Sequence, residues 1–153
     1  MANKVNLKIN NIPVTVDAGT TILEAARQCG IKIPTLCYLK DINAIGACRV
    51  CVCEVKGARS LVAACVYPVN EGMEVFTNTE RVLNSRKTTV ELIMSDHKKE
   101  CLSCIRNNNC ELQTLSNELG CDASKYAGVT NSYPIDNSTP YICLLYTSDA
   151  ADD

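Results

Sequence analysis

The sequence predicts an α+β chain of two small modules in series, and three observations lead to it. Two sets of metal-ligating residues follow one another without interleaving, Cys37-x10-Cys48-x2-Cys51-x13-Cys65 and His97-x3-Cys101-x2-Cys104-x5-Cys110, and they use seven of the eleven cysteines and the single histidine. Alternating apolar residues dominate before Thr79, and helical spacing dominates after it. Core material is scarce: with one Phe and no Trp in 153 residues, neither module can rest on apolar burial alone, and bound metal would supply cross-links.

Val5, Leu7 and Ile9 alternate with polar residues, Asn10-Asn11 interrupts, and a second alternation runs from Ile12 to Val16, which predicts a β-hairpin. Thr21-x-x-Glu24 reads as a capping box, Ile22, Ala25, Ala26 and Cys29 recur at helical spacing, and Gly30 stands where a C-terminal cap belongs. A helix over about Thr21 to Cys29 should therefore cross the sheet. After Pro34, the stretch from Thr35 to Val50 lacks periodicity but holds Cys37, Gly46 and Cys48, so it reads as a cluster-binding loop. Cys51 to Val55 and Leu61 to Val66 are apolar strands joined at Lys56-Gly57, and Met73 to Thr77 adds another strand after Asn70-Glu71-Gly72. Hairpin, helix and further strands together predict a β-grasp arrangement.

From Thr79 the pattern is helical, with Val82, Leu83, Val90, Ile93 and Met94 as the apolar face and Arg81, Arg86 and Lys87 as the solvated one. This helix links the modules. Leu112, Leu115 and Leu119 then share one face of a short helix that Gly120 stops, and Ser124 to Pro140 reads as loop.

Composition narrows the function classes. Eleven cysteines would suggest disulfides in a secreted chain, but Met1-Ala2-Asn3-Lys4 runs straight into alternation with no apolar leader. Metal or redox chemistry in the cytoplasm is the reading that follows. No stretch is apolar enough to be a transmembrane segment. A formal charge of -2, with no basic run beyond Lys98-Lys99, leaves no electrostatic footprint for nucleic acid.

The first set suits a [2Fe-2S] cluster, because each iron needs two thiolates beside the bridging sulfides. Cys48 and Cys51 can reach around one edge while Cys37 and Cys65 come from elsewhere. Gly46 and Ala47 are small enough to let backbone N-H groups approach the sulfides, which stabilises the reduced form. Zinc also takes four thiolates, but its ribbons usually offer two tight pairs and this set has one. In the second set, one imidazole with three thiolates suits a [4Fe-4S] cluster with an unusual histidine corner, and a neutral ligand in place of an anionic one should raise its potential. Zinc competes more strongly here, since three cysteines and a histidine form an ordinary structural zinc set. Cys53, Cys29 and Cys121 read as spare thiols that serve as small apolar residues.

The stretches Pro34-Thr-Leu-Cys-Tyr-Leu, Ile45-Gly-Ala-Cys-Arg-Val-Cys51, Ala64-Cys65 and His97 through Gln113 resemble the N-terminal iron-sulfur modules of [FeFe] hydrogenases of the NAD(P)-linked multisubunit type. The resemblance implies a β-grasp 2Fe-2S ferredoxin-type domain followed by a small helical 4Fe-4S domain with one His and three Cys ligands. The implied ligands are Cys37, Cys48, Cys51 and Cys65 for the [2Fe-2S] cluster, and His97, Cys101, Cys104 and Cys110 for the [4Fe-4S] cluster. Related modules occur in the large iron-sulfur subunit of NADH:quinone oxidoreductase and in certain NAD-dependent formate dehydrogenases. Gly57 through Cys65 and Asn109 through Gln113 look hydrogenase-like; Cys53 departs from the usual aliphatic residue, and Lys98-Lys99 is a second departure. In that family two further [4Fe-4S] clusters and an H2-activating domain follow. The chain is therefore expected to be an oxidoreductase fragment that relays electrons to or from a flavin-containing NAD(P)H-oxidising or -reducing subunit, or a ferredoxin. A free-standing ferredoxin-like carrier and a zinc-stabilised interaction module are the competing readings.

The expected divisions are residues 1–78 for the first domain, 79–122 for the linker helix and second domain, 123–142 for a loop toward downstream domains, and 143–153 for a non-protein tail. Cys143 through Asp153 can be encoded by TGT CTC TTA TAC ACA TCT GAC GCT GCC GAC and GA plus one base, which looks like a transposon-based sequencing adapter read in frame.

Overall fold

The first alternating run forms β1 (Lys4–Ile9) and β2 (Ile12–Asp17), paired antiparallel with Lys4 opposite Asp17 and Ile9 opposite Ile12. The turn rests on Asn10 and Asn11 at φ 50° and 67°, the left-handed pair that a tight hairpin requires and that asparagine tolerates. The computed structural model describes residues 4–128; the proposed adapter tail and most of the loop before it lie outside the described residues.

Helix α1 (Ile22–Gln28) starts at Thr21, whose Oγ accepts the Glu24 N-H. The capping box is only half made, because the Glu24 carboxylate turns instead to Arg27 and to the Tyr38 hydroxyl, each at 2.8 Å. Gly30 follows the helix at φ 76°, the left-handed conformation expected of a residue in that position. Strands β3 (Val52–Val55), β4 (Val62–Ala63) and β5 (Glu74–Phe76) complete a five-stranded mixed sheet in the order β2-β1-β5-β3-β4. β5 runs parallel to β1 and antiparallel to β3. Strand β4 is shorter than the apolar run from Leu61 to Val66 predicts. The chain turns after Ala63, whose carbonyl accepts the N-H groups of Val66 and Tyr67, and that turn is what presents Cys65. The α+β expectation holds.

Helix α2 (Glu80–Ser95) is capped by Thr79, whose hydroxyl accepts the Val82 N-H at 3.3 Å, and α3 is Glu111–Glu118. One expectation about α2 fails. Arg86 is buried at 5% exposure and Leu83 is 41% exposed, the reverse of the solvated and apolar faces assigned to them. Val82, Arg86 and Val90 recur every four residues, so they form one stripe, and the arginine occupies its middle.

Two cores result. The larger joins the inner faces of β1 and β2, the buried residues of α1, and Cys51, Cys53, Ala63, Cys65 and Val75. The smaller is Val50, Val90 and Leu115, with Leu36, Cys48, Ile93, Met94, Leu112, Leu119 and Cys121 against it. The loop before β3 therefore contributes to both cores, and α2 and α3 pack upon it.

Candidate metal centres

Four features bring the first thiol set together. Cys37 and Cys48 lie on the loop between α1 and β3, where Cys48 N-H donates to Cys37 Sγ at 3.4 Å. Cys51 precedes β3, and its carbonyl accepts the Ala64 N-H at 3.1 Å, which sets Cys65 beside it. The segment carrying Cys65 is fastened from its other side by α1: the helix's unpaired first-turn donors, Ile22 N-H and Leu23 N-H, reach the carbonyls of Tyr67 and Ala64, each at 2.9 Å. Gly46, at φ +66°, completes the loop, and a Cβ there would stand 3.2 Å from Val66 Cγ2.

The four thiols lie near one another: the Cys48 N-H reaches Cys37 Sγ, and the Ala64 N-H bond to the Cys51 carbonyl sets Cys65 beside Cys51, with Cys37 and Cys48 also close to it. Burial, then the Cys51 thiol beside it, pushes the Cys65 thiol up to about 12. Burial also raises Cys37; the Cys48 N-H works against this and the Cys48 thiol works with it. At Cys48 burial is opposed and overcome by backbone N-H groups of Val50, Leu36 and Cys37, so its thiol is lowered. Four clustered thiols resist joint ionisation until a cation shares their charge, which is the ordinary chemistry of a thiolate metal site.

No three His, Cys, Asp or Glu side chains among the described residues converge on one point where a single ion could sit. Four neighbouring thiols, with backbone N-H groups aimed at the sulfurs, fit a binuclear cluster, which takes two thiolates per iron. The donor set thus fits a [2Fe-2S] group.

The second set is held more openly. His97 follows the Asp96 cap of α2, and its N-H donates to Met94 carbonyl at 3.2 Å. Cys101 and Cys104 are exposed in the connection to α3, with Cys104 Sγ accepting the Arg106 N-H at 3.4 Å. Cys110 is half-buried at the N-cap of α3, where its side chain makes no capping hydrogen bond. All four residues lie on one connection, but among the described residues no hydrogen bond links any two of their side chains, and the structure does not gather them as it gathers the first four. The composition of this set, three thiols and one imidazole, fits a cubane cluster in donor type.

Among the three spare thiols that are described, Cys53 is fully buried, and burial pushes it up to about 12. Cys29 ends α1 with Sγ 3.2 Å from Ala26 carbonyl, and Cys121 packs under α2 with Sγ 3.8 Å from Lys87 carbonyl. Sequence reasoning missed Arg86, although its four-residue spacing from Val82 and Val90 was a readable signal.

Residues 2–80 match the family described as a 2Fe-2S iron-sulfur cluster binding domain, and residues 86–125 match an NADH-ubiquinone oxidoreductase-G iron-sulfur binding region. The chain is 46% identical over 127 residues to the NADP-reducing hydrogenase subunit HndD of Solidesulfovibrio fructosivorans, covering 80% of this chain and 22% of that protein. It is 36% identical over 143 residues to the NADH-ubiquinone oxidoreductase 75 kDa subunit of Reclinomonas americana, covering 94% of this chain and 21% of that one. The chain thus spans about a fifth of these relatives' length. Among solved structures it resembles an NAD+-reducing [NiFe]-hydrogenase in the H2-reduced state, with a TM-score of 0.80 and 29% identity over 89% of this chain and 57% of the other.

Proposed function

Because this chain belongs to the family of 2Fe-2S iron-sulfur cluster binding domains, we propose that it is the electron-relay segment of a cytoplasmic [FeFe] hydrogenase of the NAD(P)-linked multisubunit type. The observation that carries this reading is the gathering of Cys37, Cys48 and Cys51 on one loop, anchored on both cores, with Cys65 returned beside Cys51 after β4. Bound clusters supply one-electron chemistry at iron, which the protein tunes and orients.

The chain's own residues have three tasks. Cys37, Cys48, Cys51 and Cys65 hold the first cluster, and His97, Cys101, Cys104 and Cys110 hold the second. Backbone N-H groups around Cys37 and Cys48 stabilise negative charge on sulfur. Buried Val50 and Ala64 keep water from the inner side of the loop, while Leu39, Ile42, Ile45 and Val66 leave apolar surface on the loops that carry Cys37, Cys48 and Cys65, where a flavin-containing NAD(P)H subunit or a ferredoxin would dock. Sheet order and a single crossing helix support the β-grasp assignment of the first domain, residues 1–78, with residues 79–122 as the second.

The likeness to the 75 kDa subunit favours a second reading, the equivalent segment of an NADH:quinone oxidoreductase large subunit or of an NAD-dependent formate dehydrogenase. Both readings share the same relay chemistry.

Anaerobic reconstitution tests the relay. About six irons with matching sulfide per chain, and two distinct reduced paramagnetic signals, are expected from one [2Fe-2S] and one [4Fe-4S] cluster. Cys48→Ser should abolish the [2Fe-2S] signal and leave the other. Stoichiometric zinc in the purified protein, or loss of both signals in Cys48→Ser, would overturn the assignment.

A further inference from the structure

Arg86 is the one buried cation in the described core, at 5% exposure. Its Nη2 donates to Val52 carbonyl at 2.7 Å and approaches Cys53 Sγ at 3.9 Å, while its Nε has no hydrogen-bond partner. Among the described residues no carboxylate pairs with it. An arginine this deep costs free energy unless a negative charge compensates it. Val52 directly follows Cys51, so the guanidinium lies against the backbone next to that thiol and beside Cys53, and Cys51 is among the groups close enough to act on its charge. The residue comes from α2, outside the strands that carry the four thiols.

We propose that Arg86 is a positioning residue for the first cluster: α2 inserts a fixed positive charge near Cys51 that favours the reduced, more negative state of the [2Fe-2S] group. The proposal rests on the ligand assignment above. Four thiolates and two bridging sulfides make the cluster anionic when oxidised, and one added electron makes it one charge more negative. A desolvated guanidinium close by stabilises that added charge, because little water intervenes to screen it. Removing the charge therefore lowers the midpoint potential, and a lysine that keeps the charge largely preserves it. A further consequence is that the first cluster's potential depends on a helix that also packs against α3, so the two segments are linked energetically as well as by the chain.

The test uses the full chain, reconstituted anaerobically, as wild type, Arg86→Gln and Arg86→Lys. Iron and sulfide content and the low-temperature paramagnetic signal first establish whether the [2Fe-2S] cluster is present; its absence from wild type would overturn the ligand assignment itself. Potentiometric titration should then show Arg86→Gln harder to reduce by about tenfold in the equilibrium constant, a downward shift of about 59 mV for one electron, with Arg86→Lys close to wild type. A loaded Arg86→Gln protein with an unchanged or raised potential overturns the proposal. If Arg86→Gln does not hold the cluster, a loaded Arg86→Lys protein at wild-type potential supports the need for charge. Loss of the cluster from both variants, or an equal downward shift in both, would reduce Arg86 to a packing and hydrogen-bonding role and overturn it.

Discussion

Gly46→Ala should loosen the first cluster through the backbone rather than through crowding. Gly46 sits at φ +66°, where a residue with a Cβ loses roughly 1–2 kcal/mol. The new methyl would also stand 3.2 Å from Val66 Cγ2 and 3.6 Å from Ala63 Cβ. Val66 is 42% exposed, so its side chain can rotate away and the crowding part is small. The sum is about 1–2 kcal/mol, which multiplies the open population of the loop by roughly 5–30-fold. Cys48 lies two residues on, so iron transfer to an added chelator should accelerate by a similar factor, and the urea midpoint of the loaded protein should fall. Gly46→Asn should cost less, since asparagine tolerates the left-handed region. Adding Val66→Ala to Gly46→Ala should recover little. An alanine variant that releases iron at the wild-type rate, or one fully rescued by Val66→Ala, would refute the backbone argument.

Two other perturbations probe the second half. His97→Cys should keep a [4Fe-4S] cluster but lower its potential, because an anionic ligand replaces a neutral one; a titration with no shift, or an upward one, would count against His97 as ligand. The buried Glu91 carboxylate holds Lys125 Nζ at 2.7 Å and the Asp122 N-H at 3.2 Å. Hydrogen bonding to Glu91 raises Lys125 above the ordinary lysine value of about 10.4. A raised folded value stabilises fully below the unfolded one and is lost as pH rises through the folded one. Wild type should therefore exceed Lys125→Met in urea midpoint at pH 8 and lose that advantage in strongly alkaline buffer, and a pH-independent difference would contradict the pairing.

Local chemistry was legible in the sequence because it is written in short spacings. The alternation of Val5, Leu7 and Ile9, the Asn10-Asn11 turn, the Thr21 cap and the Gly120 stop each depend on neighbours within a few positions, and each is found in the structure. The ligand sets are legible for a related reason: thiols and one imidazole are rare enough residues that their spacing alone suggests a cluster. Long-range choices are not written this way. Nothing local tells β5 to lie between β1 and β3, or the Leu61–Val66 run to stop pairing after Ala63; those follow from closing one core over α1 and turning Cys65 back beside Cys51. Nor does a charged side chain reveal its own burial. Charge is costly to desolvate, so the sequence places Arg86 on the solvated face; it is buried because Val82 and Val90 flank it on one helical stripe and the Val52 carbonyl receives its N-H. Spacing decided which atoms could bind iron. Only the tertiary structure decided which of them stand together, and that a charge is buried beside Cys53, because burial and field depend on partners far away in the chain.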